Sequence, residues 1–256
     1  MPSLPRRNWT RDETLIAFRL YCQTPFGKLH KANPEIIRLA QLLGRTPSAV
    51  GMKACNFASL DPKQRERGIR ALANVSALDT QIWLEFEANP EAIAAEAEAK
   101  YEQLDGSKSV PLIDDVLQFP TGPTEQDRWV RTRRVQGFFR ATVLASYEYR
   151  CALTGIDVPE LLNASHIVPW SASVERRADP CNGLCLNALL DRAFDRGLLT
   201  FDENFAVILS DQILRNPDVN TVLAPSGLLG RRLTMPGRFK PDPAALAYHR
   251  MHRFQR

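Results

Sequence analysis

The sequence predicts an α+β protein with a helical N-terminal domain and a mixed C-terminal domain. Up to residue 104, apolar residues recur at helical spacing between capping residues. After residue 128, short apolar segments typical of strands alternate with Gly- and Asn-containing turns. Pro and Gly break the periodicity between them. We therefore expect domains at 1–104 and 128–256, joined by a linker at 105–127.

Three helices are expected at the start of the N-terminal domain. Thr10 and Glu13 have the spacing of a capping box. A second helix is predicted from about Pro34 to Leu43, with Gly44 at its end. Thr46 followed by proline predicts the start of a third helix.

The segment LLGRTPSAV, residues 42–50, resembles the turn and third-helix entry of Myb-like helix-turn-helix domains. This resemblance implies a third helix with exposed polar residues, and it directs Arg45, Lys53 and Asn56 toward DNA. A small helical bundle whose polar face is only solvated is the alternative. Residues 89–104, rich in Ala and Glu, predict a solvent-exposed helix whose acidity argues against DNA contact.

An arginine-rich stretch opens the C-terminal domain. Apolar residues at helical spacing within residues 128–150 predict an amphipathic helix with an arginine-rich face. A guanidinium group can donate two parallel hydrogen bonds to two oxygens of one phosphate, so this face is a candidate DNA surface. The alternative is a basic face that only contacts solvent. The predicted DNA contacts of this domain are Arg131, Arg133, Arg134, Arg176 and Arg177.

The central stretch, residues 161–200, concentrates the candidate chemical groups. His166 precedes Ile167 and Val168, which mark a strand, and residues 171–181 predict a polar loop. Asn182-Gly183 is a tight-turn dipeptide. A second strand and a helix capped by Asn187 are expected to follow.

Four short motifs occur in order around this stretch, and the first of them, Cys151 to Gly155, predicts a strand ended by a turn. Together the motifs resemble the HNH endonuclease family, with its ββα-metal fold, and within it a subgroup of bacterial restriction-like proteins. The motifs are CALTG at 151–155, ASHIVP at 164–169, NGL at 182–184 and FDRG at 194–197.

The resemblance implies a phosphodiester-cleaving centre. His166 matches the general base, and Asn182 matches the residue that orients the strand and the histidine. One divalent ion, most simply Mg²⁺ with Mn²⁺ or another transition ion as alternatives, is implied as well. The candidate metal-binding positions are Asp191, Asp195 and Ser165. His249 matches a histidine near the C-terminus that is expected to brace the site.

Two departures from the family pattern are visible. Ser165 stands where many members have an acidic or histidine ligand, and Leu190 stands where a metal-binding histidine is expected. The alternative to an active nuclease is therefore a DNA-binding protein with an impaired centre. Asp191 and Asp195 can also be ordinary partners of nearby arginines.

Composition and charge agree with this interpretation without requiring it. The net charge of +4 permits a nucleic-acid partner. Five cysteines without a CxxC pair, and no apolar run of membrane-spanning length, predict a cytoplasmic protein with free thiols. We expect double-stranded DNA as partner, a role in restriction or defence, with modified DNA as a candidate target, and a homodimer as a candidate assembly.

Overall fold

The computed structural model describes residues 7–66, 68, 75–106, 123–223 and 227–256. The chain divides into two compact units, Met1–Phe138 and Phe139–Arg256. Within the described ranges, no helix has both the length and the apolar character that a membrane crossing needs. Most of the expected linker lies outside the described residues.

The N-terminal unit is helical, as predicted. The Thr10–Glu13 capping box is present, and the side chains of Asn33 and Thr46 cap the second and third helices. Gly44 adopts a positive φ of 58° in the turn between those helices, a conformation that glycine adopts without steric cost. Its helices are α1 (Arg11–Gln23), α2 (Pro34–Leu42), α3 (Pro47–Leu60), α4 (Pro62–Glu66), α5 (Ala77–Ala88), α6 (Pro90–Asp105) and the first part of α7 (Pro123–Ser146).

An aromatic cluster forms the core of this unit. Phe18 of α1 lies 5.2 Å from Phe57 of α3 and 4.9 Å from Phe86 of α5, measured between ring centroids. Trp83 contacts Phe18 edge-on at 6.4 Å. Edge-on and tilted contacts of this kind stabilise a core beyond the area that they bury.

Helix α6 packs against α1, so its predicted solvent exposure is wrong. Ile93, Ala94 and Ala97 are buried. Its acidic residues form ion pairs with α1, including Glu96 with Arg11 and Glu98 with Arg19, each at 2.9 Å. Small alanines allow the two helices to approach, and the glutamates neutralise arginines of the neighbouring helix.

The third helix does not present the expected exposed Lys and Asn. Lys53 is 5% exposed and forms an ion pair with fully buried Asp79, whose carboxylate also accepts a hydrogen bond from half-buried Asn56. The Arg45 guanidinium lies over the Trp9 ring and pairs with Glu13 at 2.7 Å. These three predicted DNA contacts therefore connect helices within the unit.

The C-terminal unit contains the predicted ββα arrangement. Strand β1 (Leu162–His166) pairs antiparallel with β2 (Gly183–Asn187), and α8 (Ala188–Asp195) follows directly. The Asn187 side chain caps α8, as predicted, by accepting hydrogen bonds from the next turn. The remaining elements are β3 (Leu199–Phe201), β4 (Val207–Leu209), α9 (Asp211–Leu214), α10 (Pro217–Leu223) and α11 (Pro243–His252).

Several predicted boundaries in this unit are wrong. Residues Cys151 to Gly155 form a turn, not a strand. Strand β1 ends at His166, before Ile167 and Val168. The turn preceding β2 is a 3₁₀ turn at Pro180–Asn182, and Gly183 is already extended, with φ of −126°. None of the five cysteines forms a disulfide within the described residues.

The buried Lys53–Asp79 ion pair gives a prediction for stability. Replacing Lys53 with Met leaves the Asp79 charge buried without its cation, so we expect Lys53→Met to lower the free energy of unfolding by about 3 kcal/mol. Urea unfolding of the N-terminal unit, followed by tryptophan fluorescence, measures this change. Lys100→Met is the matched control, because its pair with Asp12 is partly exposed to solvent and is expected to contribute less than about 1 kcal/mol. Equal losses in the two variants would contradict the prediction.

Candidate functional site

The His166 imidazole lies at the end of β1 and is held from three directions. Its Nε2 atom lies 3.0 Å from the Arg177 carbonyl oxygen. The Phe139 ring is stacked on it, with 3.7 Å between centroids and 12° between planes. Trp170 meets it edge-on at 5.7 Å. The orientation of this side chain is therefore fixed before any substrate arrives.

These contacts favour a neutral imidazole with a defined tautomer. Burial lowers the pKa of His166 below its ordinary value of 6.5, and this effect exceeds the opposing effects of the Arg177 carbonyl and the Asp191 charge. A carbonyl oxygen only accepts hydrogen bonds, so Nε2 carries the proton. Nδ1 is then an unprotonated acceptor, and it makes no hydrogen bond within the described part of the chain. A neutral, oriented imidazole can accept a proton near neutral pH.

Asn182 is fully buried and closes the loop that follows β1. Its Oδ1 accepts a hydrogen bond from the Val168 amide at 2.8 Å. Its Nδ2 donates to the carbonyl oxygens of Val168 at 3.0 Å and Arg176 at 3.1 Å. The Asn182 side chain therefore makes its hydrogen bonds within the protein. By binding the Arg176 carbonyl, it also positions the next residue, Arg177, whose carbonyl oxygen contacts His166.

The Asp191 carboxylate of α8 is anchored on strand β1. Asn163 donates a hydrogen bond to Oδ2 at 2.7 Å, and the buried Ser165 hydroxyl donates to Oδ1. The structure thus joins Ser165 and Asp191 directly, and the Asp191 charge acts on His166 electrostatically. Ser165 orients the carboxylate through its hydroxyl proton.

Asp195 lies one turn further along α8 and near Asp191. The pKa of Asp195 is raised to about 6. Desolvation of its carboxylate is the largest cause, and the negative charge of Asp191 is the second. Within the described residues, no group of three or more His, Cys, Asp and Glu side chains forms a complete set of metal ligands. Asp191 and Asp195 offer carboxylate oxygens, which are the donor type that a hard divalent cation prefers.

Leu190 does not occupy a position at the site. Its side chain is fully buried in the apolar core of the C-terminal unit, together with Phe194. Asp191, the next residue along the helix, faces the polar end of β1 instead. Leu190 therefore has a packing role in this chain, and its interpretation as a lost metal-ligand position stays a prediction.

The other predicted DNA contacts are largely engaged within the protein. Arg176 pairs with Asp242 at 2.7 Å, and Arg177 donates to the Trp170 carbonyl at 3.0 Å. Arg134 pairs with Glu102, and buried Arg133 lies over the Trp129 ring. Arg131 is 57% exposed, with Glu91 at 3.8 Å. Arg131 is therefore the most accessible of these five side chains.

Three exposed arginines near Asp195 are absent from the predicted DNA contacts. Arg192 of α8, Arg196 at the C-terminal end of α8 and Arg253 of the C-terminal segment each act to lower the pKa of the Asp195 carboxyl group. Neither Arg192 nor Arg196 forms an ion pair with the residues that the structure describes. Arg192 and Arg196 are four residues apart and adjacent to Asp191 and Asp195 in the sequence. This spacing could have identified them as candidate DNA contacts.

His249 braces α8 from behind. Its ring stacks on Phe194 at 3.8 Å with 5° between planes, and its Nε2 lies 3.1 Å from the Phe194 carbonyl oxygen. Its Nδ1 lies 2.9 Å from the Thr200 hydroxyl. Burial is the main cause that lowers the pKa of His249 to about 4. Two hydrogen bonds and a stacked ring hold a neutral imidazole here.

Comparison with known proteins agrees with this geometry. Residues 151–202 match the family model described as HNH endonuclease. The matched segment contains both strands of the hairpin, helix α8, His166, Asn182 and Asp191. No match was found among curated proteins. The recognised similarity therefore concerns the ββα segment of a 256-residue chain.

The buried His249 gives a prediction for the pH dependence of stability. The unfolded chain binds a proton near pH 6.5, whereas the folded unit binds it only near pH 4. The contribution of His249 therefore lowers the stability by about 3 kcal/mol as the pH drops from 6.5 to 4. Denaturant unfolding at several pH values measures this slope. We expect His249→Gln to remove this contribution and His252→Gln, on the exposed side of the same helix, to retain it. Identical slopes in wild type and His249→Gln would contradict the prediction.

Proposed function

We propose that this chain, whose residues 151–202 match the HNH endonuclease family model, is a divalent-metal-dependent DNA endonuclease. The observation that carries the proposal is the state of His166. Its Nε2 is held by the Arg177 carbonyl, which leaves Nδ1 available on the ββα unit that also anchors Asp191. An oriented base and an oriented carboxylate on one ββα unit are two groups that metal-assisted phosphodiester hydrolysis needs.

The protein's own groups account for the proton transfer. Nδ1 of His166 accepts a proton from a water molecule as the water oxygen bonds to phosphorus and the bond from phosphorus to the 3′ oxygen breaks. The resulting imidazolium keeps its Nε2 hydrogen bond to the Arg177 carbonyl. Asp191 favours the same charged state, because its negative charge raises the pKa of His166.

Asp191 is the residue that we expect to hold the divalent ion, with Asp195 as a neighbouring oxygen donor. Asn163 and Ser165 keep the Asp191 carboxylate oriented. Carboxylate oxygen donors favour Mg²⁺, with Mn²⁺ as an alternative. When bound, such an ion neutralises charge on the phosphate and on the departing oxygen.

The proposed substrate is double-stranded DNA. Arg192 is exposed on the helix that carries Asp191, and Arg196 is exposed directly after that helix, so both side chains are available to phosphate groups. A homodimer would allow both strands to be cut, since each chain has one such centre. A role in restriction or defence in the cytoplasm, including action on modified DNA, rests on the motif resemblance alone. Loss of protection from phage by His166→Ala in cells would support that role.

The first prediction from this proposal concerns His166. We expect Mg²⁺-dependent nicking of supercoiled plasmid by the wild type and its loss on chelation with EDTA. Removing the base in His166→Ala should lower the cleavage rate by about 10²- to 10⁴-fold. His30→Ala, an exposed histidine of the N-terminal unit, is the control and should cleave normally. Wild-type cleavage rates in His166→Ala would exclude His166 as the base, and absence of cleavage by the wild type would contradict the proposed activity.

The second prediction concerns the exposed arginines. If Arg192 and Arg196 bind phosphates, Arg192→Gln and Arg196→Gln should weaken DNA binding at low salt. Each should also make the slope of log K against log salt concentration shallower by about 0.9 for each phosphate that is no longer neutralised. Fluorescence anisotropy with a labelled duplex measures both quantities. Arg215→Gln, at an arginine that is 81% exposed and paired with Asp211, is the control and should leave the slope unchanged. Unchanged slopes in Arg192→Gln and Arg196→Gln would exclude these residues as phosphate ligands.

A further inference from the structure

Helix α7 approaches the hairpin most closely at Gly183. A β-carbon added at Gly183 would lie 2.4 Å from Val143 Cγ2, and 3.0 and 3.2 Å from Cζ and Cε2 of Phe139. The backbone at Gly183 has φ of −126°, which any residue can adopt. Glycine is therefore required here for the space that it leaves, and the expected role in a tight turn does not explain it.

The same contact places an aromatic ring on the proposed base. Gly183 is the register partner of His166 in the β1–β2 pair. Phe139, which closes over the bare backbone of Gly183, is stacked on the His166 imidazole at 3.7 Å. Phe139 is 2% exposed and Val143 is 1% exposed, so neither side chain has room to move aside.

A hydrogen bond from Nε2 to a carbonyl oxygen fixes one point of the imidazole and leaves its plane free to tilt. Stacking within 12° of parallel fixes the plane. Because Nδ1 must point at a water molecule to accept its proton, a tilted ring loses the alignment of its lone pair. Misplacement of a catalytic group by about 1 Å can lower a rate about 10²-fold.

We propose that Phe139 and Gly183 are positioning residues for His166: the missing side chain of Gly183 lets Phe139 lie flat on the imidazole and hold Nδ1 in its reactive direction. This inference rests on the proposed nuclease function. Neither residue is expected to touch DNA, so both act on the catalytic step and not on substrate binding.

The experiment compares steady-state cleavage of a DNA duplex by folded variants with the wild type. We expect Gly183→Ala to lower kcat about 10- to 100-fold with little change in KM, because the added methyl group displaces α7 from the hairpin. Gly137→Ala is the matched control: it adds the same methyl group to α7 where no atom lies within 4 Å, and it should retain kcat. Circular dichroism and thermal unfolding establish that each variant is folded.

A rescue experiment separates positioning from a general loss of packing. Val143→Ala removes the atom nearest to the added methyl group, so Gly183→Ala/Val143→Ala should recover part of the lost kcat. Phe139→Leu and Phe139→Met keep an apolar side chain but remove the flat ring, and both should lower kcat at unchanged KM. If Gly183→Ala does not fold, the two Phe139 variants still test the positioning role.

The outcomes distinguish the two proposals. If the wild type cleaves, His166→Ala does not, and the folded Phe139 variants keep wild-type kcat, the positioning role is excluded and the nuclease function stands. The positioning role is also excluded if the losses appear only in KM, or if the double variant recovers thermal stability without recovering any kcat. If the wild type does not cleave, the proposed function itself fails.

Discussion

The arrangement of the site depends on one buried amide. Asn182 binds both polar atoms of the Val168 backbone and the Arg176 carbonyl, so it closes the loop between β1 and β2. That closure brings the next carbonyl, of Arg177, to Nε2 of His166. Burying a polar group without hydrogen-bond partners costs free energy. Asn182 avoids this cost because its side chain makes all of its hydrogen bonds within this loop. The direction of Nδ1 therefore follows from hydrogen bonds that involve no ligand.

The phase of helix α8 determines which residues reach the site. Asn187 caps the helix, and this start places Leu190 and Phe194 in the core and Asp191 and Asp195 on the polar side. Asp191 is then close enough to β1 to accept hydrogen bonds from two of its side chains. His249 supports the helix from its buried side. The exposed side is left with arginines, whose charge suits a phosphate backbone.

Sequence reasoning predicted the elements better than the partners of their side chains. Caps at Thr10, Thr46 and Asn187 are local patterns, and the helices that they predict are confirmed. The partner of Lys53 is Asp79, a residue distant in sequence, so burial of this ion pair could not be predicted locally. The same limit applies to contacts between elements, such as the approach of α7 to the hairpin, which involve no sequence pattern. At the site, the family resemblance supplied His166, whereas the burial of Leu190 depends on the face that helix α8 turns to the core, which family spacing does not give.

The central claim is that His166 is a neutral base with its proton on Nε2. The most direct test is nitrogen-15 NMR of the imidazole side chains at pH 7, with the His166 signals assigned by their loss in His166→Gln among the four histidines of the chain. We predict a neutral ring protonated at Nε2, with an unprotonated Nδ1 that titrates below pH 6.5. An imidazolium at pH 7, or a neutral ring protonated at Nδ1, would contradict the claim.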